Sequence, residues 1–348
     1  MRRTAARIGV VAALALSMGV AAVNAPSARA EEPGLVSAAR ADNDEMNYAI
    51  NLAGTNPEDL QRALALVPGA GGAALASYPE IGTFFAQSAT PSFAPDLAAA
   101  LRQAGISIHS IGPTRVAPVL YYERVELPTD KKDEAPQSGA AGGLNAMRDE
   151  TASAAPAEAN EEIFNWGAVA MHAREAEAVN VKRAPVTVAV VDSGVEDTHP
   201  DLEGRVDTSR SVKCSVNGVA TQDFYGWRDE FYHGTHVAGI IAANHNDIGI
   251  DGIAPESTIV AIQATNDNRL IYPEYVTCAF MWAASHGVDV VNNSYSMDPW
   301  VYWSPSDPEQ AAGLEAATRA IAYAQGKGLA VIASAGNDGM DNDNVTTD

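Results

Sequence analysis

The chain has 348 residues, enough for one or two domains, and its 47% hydrophobic and 19% charged composition is that of a globular protein with a sizeable core. Its 44 acidic against 22 basic side chains leave a net charge of −22. That balance argues against nucleic acid or an anionic membrane surface as a partner.

Residues 1–30 read as a secretory signal. Arg2, Arg3 and Arg7 make a positive start, residues 8–23 are mostly apolar, and Ala28-Arg29-Ala30 precedes Glu31 and Glu32. The apolar run is short for a bilayer span and no other stretch is long enough, so the expectation is an exported, extracellular protein with no membrane contact after cleavage. Cleavage removes four arginines and no acids, which moves the net charge from −22 to about −26. In an oxidising compartment Cys214 and Cys278 either pair, closing a loop of about 65 residues, or remain two thiols; spacing does not decide between them.

Residues 31–125 carry a βαββαβ pattern with its core at 45–115. Asn47-Tyr48-Ala49-Ile50-Asn51-Leu52 alternates like a half-buried strand. Asn56-Pro57-Glu58-Asp59 starts a helix, with a capping side chain, proline at the first turn and two acids at the positive end. Leu60, Leu64 and Val67 follow at helical spacing, and residues 69–72 end it. Residues 74–78 and 83–88 suit strands joined by a turn at Glu80-Ile81-Gly82. Residues 95–105 form a helix with Leu97 and Leu101, and 106–111 a last strand. Two such halves predict a small α+β ferredoxin-like sandwich. Residues 126–162, rich in Ala, Gly, Pro, Asp and Glu, read as an acidic flexible linker.

From 163 to 348 the pattern becomes α/β. Residues 166–179 are helical. Residues 186–191 are a continuous β-branched run, as in a central parallel strand. A helix over 233–244, a strand over 258–262, a helix over 275–286 closed by Gly287 and a strand over 288–292 follow. Asp307-Pro308-Glu309-Gln310 is a helix start. That helix runs to 326 or 328 with Leu314 and Ile321 facing inward, and residues 329–333 are a further strand. The alternation predicts a doubly wound parallel sheet whose site lies at the carboxyl ends of its strands. Asp192 ends the first of these strands and His233 heads the first long helix. A carboxylate at such a strand end can orient an imidazole, and an oriented imidazole can activate a hydroxyl. His233 with His236 is also an i, i+3 pair that could bind metal, giving a hydrolase of another kind. Trp300, Tyr302 and Trp303 could line a pocket or pack a loop.

Asp192-Ser193-Gly194, His199-Pro200-Asp201-Leu202, His233-Gly234-Thr235-His236-Val237-Ala238-Gly239 and Ala333-Ser334-Ala335-Gly336-Asn337 occur in that order. In these motifs residues 185–340 resemble the subtilisin-like serine peptidases, the subtilases. The resemblance implies a subtilisin-like fold in which Asp192 orients His233, His233 is general base and then general acid, and Asn337 donates to the oxyanion. It implies that Ser294, Tyr295 and Ser296 pair with a peptide or protein substrate, with Ser296 where relatives usually carry glycine, and that Ser334, Ala335 and Gly336 also contact it. Gly234 and Gly239 would let the helix of His233 pack close to the sheet. No cofactor is required, but a structural calcium at Asp201 and Asn246 is implied, although loops of this shape also occur without metal. Between a signal and such a domain, the N-terminal sandwich resembles a subtilase propeptide, which templates folding and lays its tail in the cleft; Tyr78-Pro79-Glu80-Ile81-Gly82 and Ile111-Gly112-Pro113-Thr114-Arg115 fit it. The family's Gly-Thr-Ser-Met-Ala-like segment does not occur in these 348 residues. The expectation is a secreted endopeptidase precursor truncated before its nucleophile, with a sheet incomplete at the C-terminus and no activity as given. The alternative is a non-catalytic peptide-binding, inhibitor or chaperone protein derived from such an enzyme.

Overall fold

The computed structural model describes residues 45–115, 166–179, 184–223, 225–300 and 302–337. The expected signal at 1–30 and linker at 126–162 lie outside them.

The N-terminal module contains β1 (Met46–Leu52), α1 (Pro57–Leu66), β2 (Ala73–Tyr78), β3 (Thr83–Ser88), α2 (Phe93–Gln103) and β4 (Ile108–Pro113). Its strands are antiparallel in the order β2-β3-β1-β4, the ferredoxin-like arrangement. The start of α1 behaves as its sequence predicts: Pro57 opens the helix and the Asn56 side chain accepts from Glu58 N at 3.0 Å. One face of the sheet packs Tyr48, Ile50, Leu52 and Phe84 against Leu60, Phe93, Leu97 and Leu101.

The other face overturns the expectation of a half-buried strand. Asn47 and Asn51 are fully buried, because this face is laid on α7 (Ala311–Gly326) of the second half. Ala49 and Phe85 pack against Ala312 and Ala316. Asn51 Nδ2 donates to Ala312 O at 2.9 Å. The Arg319 guanidinium donates back to Leu52 O and Ile81 O at 2.8 and 3.0 Å. Buried amides with such partners avoid the desolvation penalty that would otherwise push them to the surface.

Residues 166–179 form two short helices, α3 (Trp166–Ala170) and α4 (Ala173–Ala178), instead of one. The break falls at His172, whose φ of 55° is left-handed and cannot continue a right-handed helix.

The second sheet contains β5 (Thr187–Asp192), β6 (Val212–Lys213), β7 (Thr258–Gln263), β8 (Val290–Asn293) and β9 (Ala330–Ala333), all parallel, in the order β6-β7-β5-β8-β9. Val188 and Val190 of β5 face Ala238 and Ala242 of α5 (His233–Ala242). Ala189 and Val191 face Val276 and Phe280 of α6 (Pro273–Ser285). Both faces of the central strand are covered, so its sequence carries no polar alternation. Cys214, just after β6, is bonded to Cys278 of α6 with Cα atoms 5.7 Å apart, which settles the pairing that spacing left open.

Helix α7 begins at Ala311 and not at the Asp307-Pro308 motif. The Asp307 carboxylate accepts from Glu309 N at 2.9 Å within a turn, and the Gln310 amide oxygen accepts from Ser304 N at 2.6 Å. Its buried positions are Ala312, Gly313, Ala316, Ala317, Ala320 and Ala324, while Leu314 and Ile321 are half-buried. The helix lies between α6 and the module's sheet, and only short side chains admit both neighbours. Trp303 sits over the gap at Gly313, where an added Cβ would fall 3.0 Å from its ring, and donates Nε1 to Met297 O at 2.8 Å. Trp300 meets it edge-on, so this tryptophan cluster packs a loop.

Phe84 is fully buried at the centre of the module's own core. Phe84→Ala is expected to lower stability by about 3–5 kcal/mol, measured as a shift in the urea unfolding midpoint; a loss under about 1 kcal/mol would contradict this placement.

Candidate active site

Asp192 is the last residue of β5 and His233 the first of α5, and the fold brings them together. His233 Nδ1 lies 2.7 Å from Asp192 Oδ1. With Nδ1–H donating to the carboxylate, Nε2 is left as the accepting nitrogen. The Asp192 side chain is 4% exposed and that of His233 20%. Asp192 Oδ1 also accepts from Ser193 N at 2.7 Å, whereas Oδ2 is buried with no hydrogen-bond partner among the described residues. The imidazole pKa is raised above its ordinary value, first by the hydrogen bond to Asp192 and then by the Asp192 and Asp229 charges, with burial opposing.

Close approach of helix and strand depends on Gly234. A Cβ at that position would fall 2.1 Å from Gly194 O and 3.0 Å from Asp192 Cβ. Gly239 has no such role: a Cβ there meets only Ile250 Cδ1 at 3.7 Å, an ordinary contact.

Sequence reasoning missed Asp229. Its Oδ1 accepts from Ser193 Oγ at 2.9 Å and Phe231 N at 2.8 Å, and its Oδ2 from Thr235 N at 2.8 Å and Thr235 Oγ1 at 2.5 Å. Ser193 Oγ accepts in turn from Gly234 N at 3.0 Å. Helix α5 has no side-chain cap from its own N-cap residue, Tyr232. Ser193 and Asp229 satisfy its first free N–H groups from outside and place a carboxylate at its positive end. An acid four residues ahead of a helix start was the available signal.

The other predicted site residues fall along the same carboxyl edge. Ser294, Tyr295 and Ser296 follow β8, and Ser334, Ala335, Gly336 and Asn337 follow β9. Asn292 Nδ2 donates to Ser294 Oγ at 3.0 Å, and Tyr295 OH donates to Asn293 Oδ1 at 3.0 Å. Burial and then the Asp192 charge push the Tyr295 hydroxyl pKa up. Ser334 N continues the ladder to Asn293 O at 3.0 Å. Asn337 is exposed at this edge, two strands from β5, roughly 10 Å in sheet spacing. Asp298, at the end of the segment after β8, has its carboxyl pKa pushed up to about 6 by burial, with the Ile271 N–H pulling the other way.

Asp201 and Asn246 also meet. Asp201 is 5% exposed; its Oδ1 accepts from Asn246 Nδ2 at 3.4 Å and its Oδ2 from Ile250 N at 3.2 Å. The loop closes over the carboxylate at Gly249, φ 59°, where a Cβ would fall 2.1 Å from Asp201 Oδ2. Carboxylate and amide oxygens are the donors a hard cation takes, but here they accept N–H groups, Asn246 Oδ1 from Ile248 N at 3.2 Å. His233 and His236 have no converging third ligand: no group of three or more His, Cys, Asp or Glu side chains is poised for a metal among the described residues.

Residues 183–348 match the model of the subtilase family. Fervidolysin of Fervidobacterium pennivorans is 34% identical over 190 residues, which cover 52% of this chain and 25% of that protein. The thermophilic serine proteinase of Bacillus sp. (strain AK1) is 37% identical over 154 residues, 44% of this chain and 33% of its own. Subtilisin of Bacillus pumilus is 33% identical over 172 residues, 49% of this chain and 53% of its own. The matches thus span from a quarter to about half the length of these curated relatives. Among solved structures, the epidermin leader peptide processing serine protease of Staphylococcus aureus aligns with a TM-score of 0.56 at 20% identity, over 86% of this chain and 62% of that one. Fervidolysin aligns with a TM-score of 0.52 at 23% identity, over 84% and 40%. At these identities the structures establish the fold, and the sequence matches carry the kinship. With the Asp192–His233 pair standing at the strand edge, residues 183–348 form a subtilisin-like domain that matches the subtilase family in sequence and subtilisin-like peptidases in fold.

Proposed function

We propose that this chain is the precursor of a secreted subtilisin-type serine endopeptidase, and that residues 45–115 are its propeptide, an intramolecular chaperone and inhibitor. The observation that carries the reading is the 2.7 Å contact between His233 Nδ1 and the buried Asp192 carboxylate. In the proposed reaction a serine Oγ attacks the scissile carbonyl carbon and its proton passes to His233 Nε2. That proton then goes to the departing amine, and water repeats the cycle on the acyl-enzyme. Asp192 holds the imidazole tautomer and stabilises the imidazolium. The Asn337 amide donates to the developing oxyanion, worth roughly 3–4 kcal/mol in this family's own worked case. The segments 294–296 and 334–336 run on either side of a peptide bound in extended form. No serine of residues 1–348 stands in a Gly-Thr-Ser-Met-Ala-like segment, so none of them is assigned the attacking role. Asp201, Asn246 and carbonyls of the 244–250 loop would hold a structural calcium, whose chemistry is to tie that loop to the turn at 200–202.

Expressed as 348 residues, the protein is expected to take no serine-directed fluorophosphonate and to keep its N-terminal module attached. Joined to a Gly-Thr-Ser segment that supplies the nucleophile, the protein is expected to hydrolyse casein, with Asp192→Ala lowering turnover about 10⁴-fold, the scale of this family's own mutants. Full turnover in the Asp192→Ala protein would overturn the reading.

His233 is expected to titrate above pH 6.5, its ordinary value, in an NMR titration, and Asp192→Asn to bring it down. The folded imidazole holds its proton more tightly than the unfolded one. Its contribution to stability is therefore fully present below about pH 6.5 and fades as pH rises through the folded value. A His233 that titrates below 6.5 contradicts the pairing.

Millimolar calcium is expected to raise Tm in the 348-residue chain and to leave Asp201→Asn unchanged, with equal shifts in both proteins as the contrary result.

A further inference from the structure

The seam between the module and the second half contains a buried ion pair that the proposed catalysis does not use. Arg115 follows β4 and is 5% exposed at its side chain; Glu274, in the first turn of α6, is 0% exposed. The guanidinium Nη2 donates to Glu274 Oε1. Asn47 Nδ2, also from the module, donates to the same oxygen at 2.8 Å. The Arg115 Cζ lies 3.9 Å from the centre of the Tyr272 ring. Glu274 Oε2 and Arg115 Nε have no hydrogen-bond partner among the described residues.

The parts divide cleanly. The carboxylate and the aromatic face of Tyr272, with Tyr275 edge-on to it at 5.6 Å between ring centres, belong to the second half, and the cation belongs to the module. A planar guanidinium can donate to a carboxylate while lying flat on an aromatic ring, which an ammonium cannot do at once. A carboxylate buried without a counter-charge is strongly disfavoured, so the cation is a condition of closing the seam. The receptor also borders the segment expected to bind substrate. Ile271 N donates to Asp298 Oδ2 at 2.7 Å, Asp298 N donates to Ile271 O at 2.7 Å, and Tyr272, Tyr295 and Met297 pack on one core.

We propose that Glu274, Tyr272 and Tyr275 form an arginine receptor at the edge of the cleft, filled in this chain by Arg115. It selects arginine in the polypeptide that lies along this edge once the module has left. The second statement rests on the reading of residues 45–115 as a removable propeptide; the receptor itself does not.

The test is chemical rescue in the full chain, read as Tm. Arg115→Ala is expected to lower Tm. N-acetyl-arginine amide is expected to restore it saturably, by about 3–5 °C at tenfold excess over its Kd. The unaltered chain, with its receptor full, is expected to show no saturable rise, nor is the Arg115→Ala chain with N-acetyl-lysine amide. Adding Glu274→Gln to Arg115→Ala is expected to abolish the rescue. Absence of any rise, an equal rise with the lysine compound, or a rise that survives Glu274→Gln overturns the receptor. If Arg115→Ala does not fold, Arg115→Gln, which keeps a polar group in place, takes the same measurements. No proteolysis enters the readout, so failure here is distinct from failure of the peptidase reading.

Discussion

A helix can set its first side chain against the end of a neighbouring strand only where nothing stands between their backbones. At the junction of β5 and α5 that condition is met by the bare Cα of Gly234, over which Gly194 O and Asp192 Cβ close in. The hydrogen bond between Asp192 and His233 follows from it. So does the external capping of α5, because only a helix this close can offer Gly234 N to Ser193 Oγ and Thr235 N to Asp229. The same few residues therefore fix geometry and electrostatics together. Asp229 adds negative charge that favours the imidazolium, and the strand end supplies the acceptor.

The seam between the two halves obeys a different rule. It buries four polar side chains, Asn47, Asn51, Arg115 and Glu274, each with a partner across the contact. An apolar seam of similar area would adhere to many surfaces. A polar one is stable only in the register that pairs its charge and its amides, so it trades strength for selectivity.

What was legible in the sequence was local. The cap at Asn56 and the strand read at 186–191 follow from short-range chemistry; the cap appears where the pattern put it and the strand one residue further on, at 187–192. Asp192 and His233 were legible singly as a strand end and a helix start, and as a pair through the motifs that resemble the subtilases. Contacts set by distant partners were not. Asn47 and Asn51 looked like a solvent face because amides usually are one; the acceptors Glu274 Oε1 and Ala312 O, which tie them into the seam, lie more than two hundred residues away. Leu314 and Ile321 looked like the core stripe of α7, yet the inner positions went to alanine, because two neighbours press on that helix. The Asp307 motif closed a turn ahead of the helix, its capping oxygen taken by Glu309 N. Arg115 and Glu274 carry no hint of each other across 159 positions.

The alanine-lined side of α7 has a consequence for solubility. A helix that buries leucines against a removable cover leaves a broad greasy stripe when the cover departs, and such stripes drive aggregation. Ala312 and Ala316 each present a single methyl beside Arg319 and Glu315, which pair at 2.6 Å. Uncovered, that side is a lightly apolar strip edged with charge, compatible with water. Under the proposed removal of residues 45–115, one surface thus serves first as an interface and then as ordinary exterior.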